Sequence, residues 1–99
     1  MIIYNVTVII IKEAEEEWLQ WMKKVHIPDV MNTGLFLENH ISRILDDNEE
    51  GTSYAIQYKL NDMATFQAYQ EKFAPALQKE HTERYKNRYV AFRTLMEVV

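Results

Sequence analysis

A chain of 99 residues with a formal net charge of −4 has room for one domain around a single small core. The acidic balance argues against a general nucleic-acid binder, which needs excess Lys and Arg to displace counterions. The absence of Cys excludes disulfides, a thiol nucleophile and Cys-ligated metal, and two Gly and two Pro predict long regular elements joined by short turns.

The stretch from Ile2 to Ile11 is β-branched or aromatic almost throughout and carries no charge, which predicts a long central strand covered on both faces. One face reads Ile2, Tyr4, Val6, Val8 and Ile10. The other reads Ile3, Asn5, Thr7, Ile9 and Ile11, apolar at its ends and polar in the middle. This apolar run is too short to span a bilayer. It lacks the basic leader and small-residue cleavage site of a signal peptide, so a cytoplasmic protein with no membrane partner is expected.

Lys12 to Val25 predicts a helix with Ala14, Trp18, Trp21, Met22 and Val25 on its buried stripe and Leu19 beside it. Glutamates crowd its start, and Lys23 and Lys24 its end, in the order the helix dipole favours. Pro28 predicts termination near Val25 or His26. One further turn follows over Pro28 to Asn32, with Gly34 just past it. Leu35 to Leu45 reads as a second strand, Asp46 to Gly51 as a solvated hairpin loop, and Thr52 to Leu60 as a third strand. Asn61 or Asp62 caps a second helix whose buried stripe is Met63, Phe66, Tyr69 and Phe73. Pro75 breaks and restarts it, with Phe73 and Leu77 both expected in the core and Leu77, His81 and Tyr85 aligned one turn apart. The last strand is Tyr89 to Val98.

The order β-α-β-β-α-β predicts an α+β, ferredoxin-like fold with a four-stranded antiparallel sheet and both helices on one face. The second face is left bare, carrying Asn5, Thr7 and Gln57 amid apolar neighbours. A homodimer packed through this face is the expected partner arrangement, and it encloses a semi-polar cavity.

No motif names a reaction. There is no Gly-rich phosphate cradle, no G-x-S-x-G elbow and no RNA-recognition signature on the third strand. His26, His40 and His81 lie on three different elements without zinc-helix spacing, so neither a metal nor another cofactor is expected. His26 stands where the first helix is expected to stop. It reads either as a capping cation or as a general acid or base held at a cavity mouth by Pro28. Trp18 and Trp21 fall at helical spacing, which favours core over a stacking wall. Lys79, Arg84, Lys86, Arg88 and Arg93 make the C-terminal part basic. Arg93 lies within a strand, so it either anchors an anion in a cavity or pairs beneath the helices.

Trp18-Leu19-Gln20-Trp21 followed by His26-Ile27-Pro28-Asp29-Val30-Met31-Asn32-Thr33-Gly34-Leu35-Phe36 resembles a family of short bacterial proteins known as a domain of unknown function. Tyr54-Ala55-Ile56-Gln57-Tyr58, Phe73-Ala74-Pro75-Ala76-Leu77 and Glu80-His81-Thr82-Glu83-Arg84-Tyr85 extend the resemblance over essentially the whole chain. The His26-x-Pro28-Asp29…Gly34 run is also similar, more loosely, to the dimeric α+β barrel superfamily of cofactor-free monooxygenases, haem-degrading proteins and ether-degradation-type proteins. That resemblance implies a homodimer with a pocket between sheet and helices, bordered by His26. It implies no particular reaction.

The expected function is binding of a small molecule in the cavity, by a protein that is either a binder or a cofactor-free enzyme. His26 is the expected acid/base, with Asn5, Gln57, Arg93, Trp21 and His81 around the ligand. The competing expectation is a non-catalytic dimerisation or regulatory module. A ligand-sized pocket lined by His26 or Gln57 distinguishes them.

Overall fold

The computed structural model describes residues 1–99. Strand β1 (Ile2–Ile10) is followed by helix α1 (Lys12–Trp21), a π-helical turn (Met22–His26) and a short helix α2 (Ile27–Met31). Then come β2 (Glu38–Arg43), β3 (Thr52–Leu60), α3 (Met63–Lys72), α4 (Ala74–Arg84) and β4 (Tyr89–Glu97). The sheet order is β2-β3-β1-β4, with every pairing antiparallel. This is the ferredoxin-like α+β arrangement, and β1 takes its central place between β3 and β4.

Strand register sorts the side chains onto two faces. Beneath the helices lie Tyr4, Val6 and Val8 of β1, opposite Tyr58, Ile56 and Tyr54 of β3. Leu95, Arg93 and Ala91 of β4 flank the same β1 residues on the other side. The core is built on this face, where Trp18, Ile10, Ile56, Leu60 and Tyr85 are fully or almost fully enclosed. Glu15 of α1 ties helix to sheet by accepting the Tyr54 hydroxyl at 2.6 Å and the Thr52 hydroxyl at 2.7 Å. The other face carries Ile3, Asn5, Thr7 and Ile9, paired with Lys59, Gln57, Ala55 and Ser53, and no element of the chain packs over it.

Several local expectations are corrected. The first helix does not stop near Val25 or His26. It widens into the π turn, in which the Ile27 N–H reaches back to the Met22 carbonyl, and continues helically to Met31. Pro28 then falls at the second position of α2, directly after the π turn. Val25 is exposed rather than buried, because the extra residue of the π turn rotates it off the stripe. Strand β2 is confined to Glu38–Arg43; before it Phe36 is buried in the core, while Leu37 is exposed and donates its N–H to the Lys59 carbonyl at 2.8 Å. Asp62 caps α3 by accepting the Thr65 N–H at 2.8 Å. Phe73 breaks the helix before Pro75, as expected, yet Phe73 and Leu77 are only half-buried and Met63 is exposed. Gly34 adopts a left-handed φ of 79°, which ends α2 without a Cβ penalty.

Candidate functional site

The six residues singled out from sequence fall in two places, separated by the sheet. His26, His81 and Arg93 converge on a cleft between the sheet and the helices. Asn5 and Gln57 are directly opposed partners on the other side of the same strands, so they cannot reach that cleft. Trp21 does not line the cleft either; it stands behind His26 as a buried buttress. His40 also projects from the open face, in register with Gln57, so the three histidines do not meet. No three His, Asp or Glu side chains come close enough together to hold a metal ion.

The cleft floor is the helix face of β1 and β3, with Tyr4, Val6, Val8, Ile56 and Tyr58. Its roof is Met22 and His26 of the π turn, Val30 of α2, and Leu77, Gln78 and His81 of α4. The open side is edged by Tyr89, Ala91 and Arg93 of β4. The cleft has a free volume of only about 40 Å³. As it stands it holds a few waters; a ligand larger than that needs side chains of the roof to move.

His81 is fixed by Trp18. The indole N–H donates to His81 Nε2 at 2.9 Å in a buried bond. An indole nitrogen can only donate, so His81 Nε2 must carry a lone pair and the ring proton must sit on Nδ1. His81 also meets Tyr89 edge-on at 4.5 Å between ring centroids and His26 at 5.7 Å. Burial, with smaller contributions from His26 and Arg93, lowers its pKa to about 4.

His26 closes the π turn, and its ring lies against Trp21 at 5.1 Å with 28° between planes. Burial lowers its pKa to about 4, opposed by Asp29 and reinforced by Arg93. The capping-cation reading is therefore corrected: the helix runs on past His26, and the ring is neutral at physiological pH. His26 Nδ1 is buried and has no hydrogen-bond partner. A neutral imidazole with a free nitrogen, facing a second neutral imidazole of fixed tautomer, can exchange a proton with a hydroxyl or an acidic C–H placed between them.

Arg93 donates from Nε to the Tyr4 hydroxyl at 3.1 Å. Of the rest of the basic group noted in the sequence, only Lys86 shares a groove with it. Arg84 pairs with Glu17 at 2.7 Å, Lys79 with Glu83 at 3.8 Å, and Arg88 donates to the Arg84 carbonyl. Sequence reasoning missed Tyr4, Gln78 and Tyr89 as cleft residues and the Trp18–His81 bond. Tyr4 was legible as a helix-face residue of β1; nothing local marks the others.

The model of a family described as "Domain of unknown function (DUF4286)" matches residues 1–99. No curated protein matches the sequence. Among solved structures the chain is similar to a dimeric ferredoxin-like protein from an uncultured marine organism, with a TM-score of 0.72 at 16% identity, covering 99% of this chain and 94% of that one. It is similar to an ethyl tert-butyl ether degradation (EthD) family protein from Bacillus halodurans, with a TM-score of 0.69 at 12% identity over 100% of both chains. It is also similar to SnoaB, a cofactor-independent oxygenase from Streptomyces nogalater, with a TM-score of 0.68 at 12% identity, covering 98% of this chain and 92% of that one. At these identities the likeness is one of fold.

Proposed function

This chain belongs to the DUF4286 family, a domain of unknown function, and on the geometry of its own cleft we propose that each copy binds a small molecule between sheet and helices. His26 is the acid/base or ligand-polarising group. The observation that carries this reading is the buried, unpartnered Nδ1 of His26 beside a cleft that also presents His81. A buried polar atom left without a partner costs about 1–3 kcal/mol, a cost that a bound hydroxyl or carbonyl would remove. The fold likeness to a cofactor-independent oxygenase is consistent with proton transfer by side chains alone.

The same proposal has two copies packed through their open sheet faces. Val90, Phe92 and Met96 are exposed on that face, and the buried Asn5 Oδ1 lacks a donor there while its Nδ2 is held by Thr7 at 3.0 Å. Asn5 and Gln57 belong to this interface in the proposal and not to the ligand. Solved structures of similar fold include proteins described as dimeric.

A second reading, a dimerisation or regulatory module without a ligand, is favoured by one observation: the small free volume of the cleft. A small-molecule screen read by thermal shift decides between them. Occupancy at a hundredfold excess over Kd adds about 2.7 kcal/mol. The first reading expects hits that stabilise the wild type and leave folded His26→Gln unshifted. A screen without hits, or hits indifferent to His26→Gln, would favour the second.

A further inference from the structure

The electrostatic lining of the cleft is opposite in sign to the molecule. The chain has 15 Asp and Glu against 11 Lys and Arg, yet none of the residues lining the cleft is acidic. A second, wider groove continues outward from it between α4 and β4, sharing Gln78, Tyr89, Ala91 and Arg93 and adding Lys86. It too has no carboxylate on its walls. Arg93 stands where the two meet. Its one hydrogen bond is to a neutral phenol, and no carboxylate lies within ion-pair distance of it.

We propose that the ligand is a small organic anion, an aryl or alkyl carboxylic acid, with its apolar body in the inner cleft and its carboxylate on Arg93 at the junction with the outer groove. This rests on the cleft binding proposed above and names the class of molecule bound. A guanidinium keeps its charge at any physiological pH and offers a planar fork that matches a carboxylate. Both imidazoles of the inner cleft are neutral, so the acid meets one fixed cation; the nearest anion acting on the site, Asp29 beside His26, does not line the cleft. The floor of Tyr4, Val6, Val8 and Tyr58 suits an apolar body, with the paired rings of Tyr4 and Tyr58 at one end of the aliphatic stretch. Lys86 adds a second, more hydrated positive charge to the outer groove.

The test titrates benzoate, phenylacetate and 3-phenylpropionate, and the primary amide of each, into the full-length protein. Binding is followed by the amide NMR signals of His81 and Tyr89. At least one acid should bind about tenfold or more tighter than its amide, the size of effect a charge-assisted hydrogen bond confers. Arg93→Gln should remove that preference, weakening the acid about tenfold more than its amide. Arg93→Lys should keep part of the preference, which guards against misreading a folding defect. Acids and amides binding alike in the cleft would overturn the anion assignment while leaving cleft binding intact. Acids that bind Arg93→Gln as tightly as the wild type would also overturn it. If neither series binds at millimolar concentration the assignment fails, and if the wider screen is also empty the cleft reading fails with it.

Discussion

Trp21 and His26 lie nearly face to face, with ring centroids 5.1 Å apart, although five positions separate them along one helical segment. In a regular α-helix, residues at i and i+5 project about 140° apart and cannot stack. The π turn brings them onto one side, because it inserts a residue into the ladder between them. The stack is thus a product of the π turn, and the π turn is what aims His26 at the cleft. Deleting the exposed Lys24 should remove the extra residue and leave a regular helix in which His26 follows Trp21 by four positions, about 40° away around the axis. The expected outcome is a folded protein whose His26 ring protons keep their ring-current displacement in the NMR spectrum. A His26 signal at its random-coil position would refute the one-residue insertion.

Acid should weaken the fold in a defined window. Both cleft histidines have folded pKa values lowered to about 4, against about 6.5 in an unfolded chain. Between these values the unfolded chain binds more protons than the folded one, so stability falls as pH drops from about 6.5 to about 4. The upper bound is about 3 kcal/mol per ring. Urea unfolding at pH 7 and pH 4.5 should show the loss, and His26→Gln should reduce it by about half, leaving the share due to His81. The lowered carboxyl pKa values of Glu15 and Asp62 act lower in the range, below their unfolded values near 4.

Trp18→Phe should be felt at His81. Removing the indole N–H leaves His81 Nε2 buried without a donor, at a cost of about 1–3 kcal/mol in addition to the lost ring volume. The distinguishing readout is the tautomer. Nitrogen NMR of the wild type should show His81 protonated on Nδ1, and Trp18→Phe should release this restriction. A variant that loses stability but keeps the Nδ1–H form would refute the proposed lock.

Gly51→Ala tests the junction between the β2–β3 loop and β1. A Cβ there would run into the backbone carbonyl of Ile10, which has no room to yield. The expected destabilisation is about 1–3 kcal/mol, typical of overpacking. Chemical denaturation within error of wild type would mean that the loop stands further from β1 than described.

The proposed dimer has a direct test. Sedimentation at micromolar concentration should give twice the 11.8 kDa chain mass. Phe92→Glu, which puts a charge on the open face, should return the monomer with its secondary structure intact. A wild type that sediments as a single chain would leave the open face without its proposed cover.

Much of the fold was legible because its signals are local. Alternation of branched residues marked β1 and β3, and Pro75 marked the break between α3 and α4. The π turn was not legible, since Met22 to His26 carries no composition that separates it from an ordinary helix and Pro28 mimics a stop. The site was harder, because convergence of His26, His81 and Arg93 is a property of topology. Placing Arg93 in one cavity with Asn5 and Gln57 came from the ambiguous alternation of β4. There the open face holds Val90, Phe92, Thr94 and Met96, while the covered face holds Tyr89, Ala91, Arg93, Leu95 and Glu97, with both of the strand's charges. Amphipathicity read from β4 alone points the wrong way; only its register with β1 assigns the faces.

The two breaks in the helical layer have a kinetic consequence. The cleft is too tight to admit more than a few waters without movement of its roof. That roof is carried by α2 and α4, each joined to the helix before it at an irregular step, the π turn for α2 and Phe73 for α4. Displacing either segment bends the chain where its hydrogen-bond ladder is already interrupted, so no regular ladder has to be broken. Entry to the cleft is then governed by local pivoting and not by unfolding of the domain. Its rate should track substitutions at Phe73 and in the π turn and be insensitive to those that change only global stability, such as Gly51→Ala.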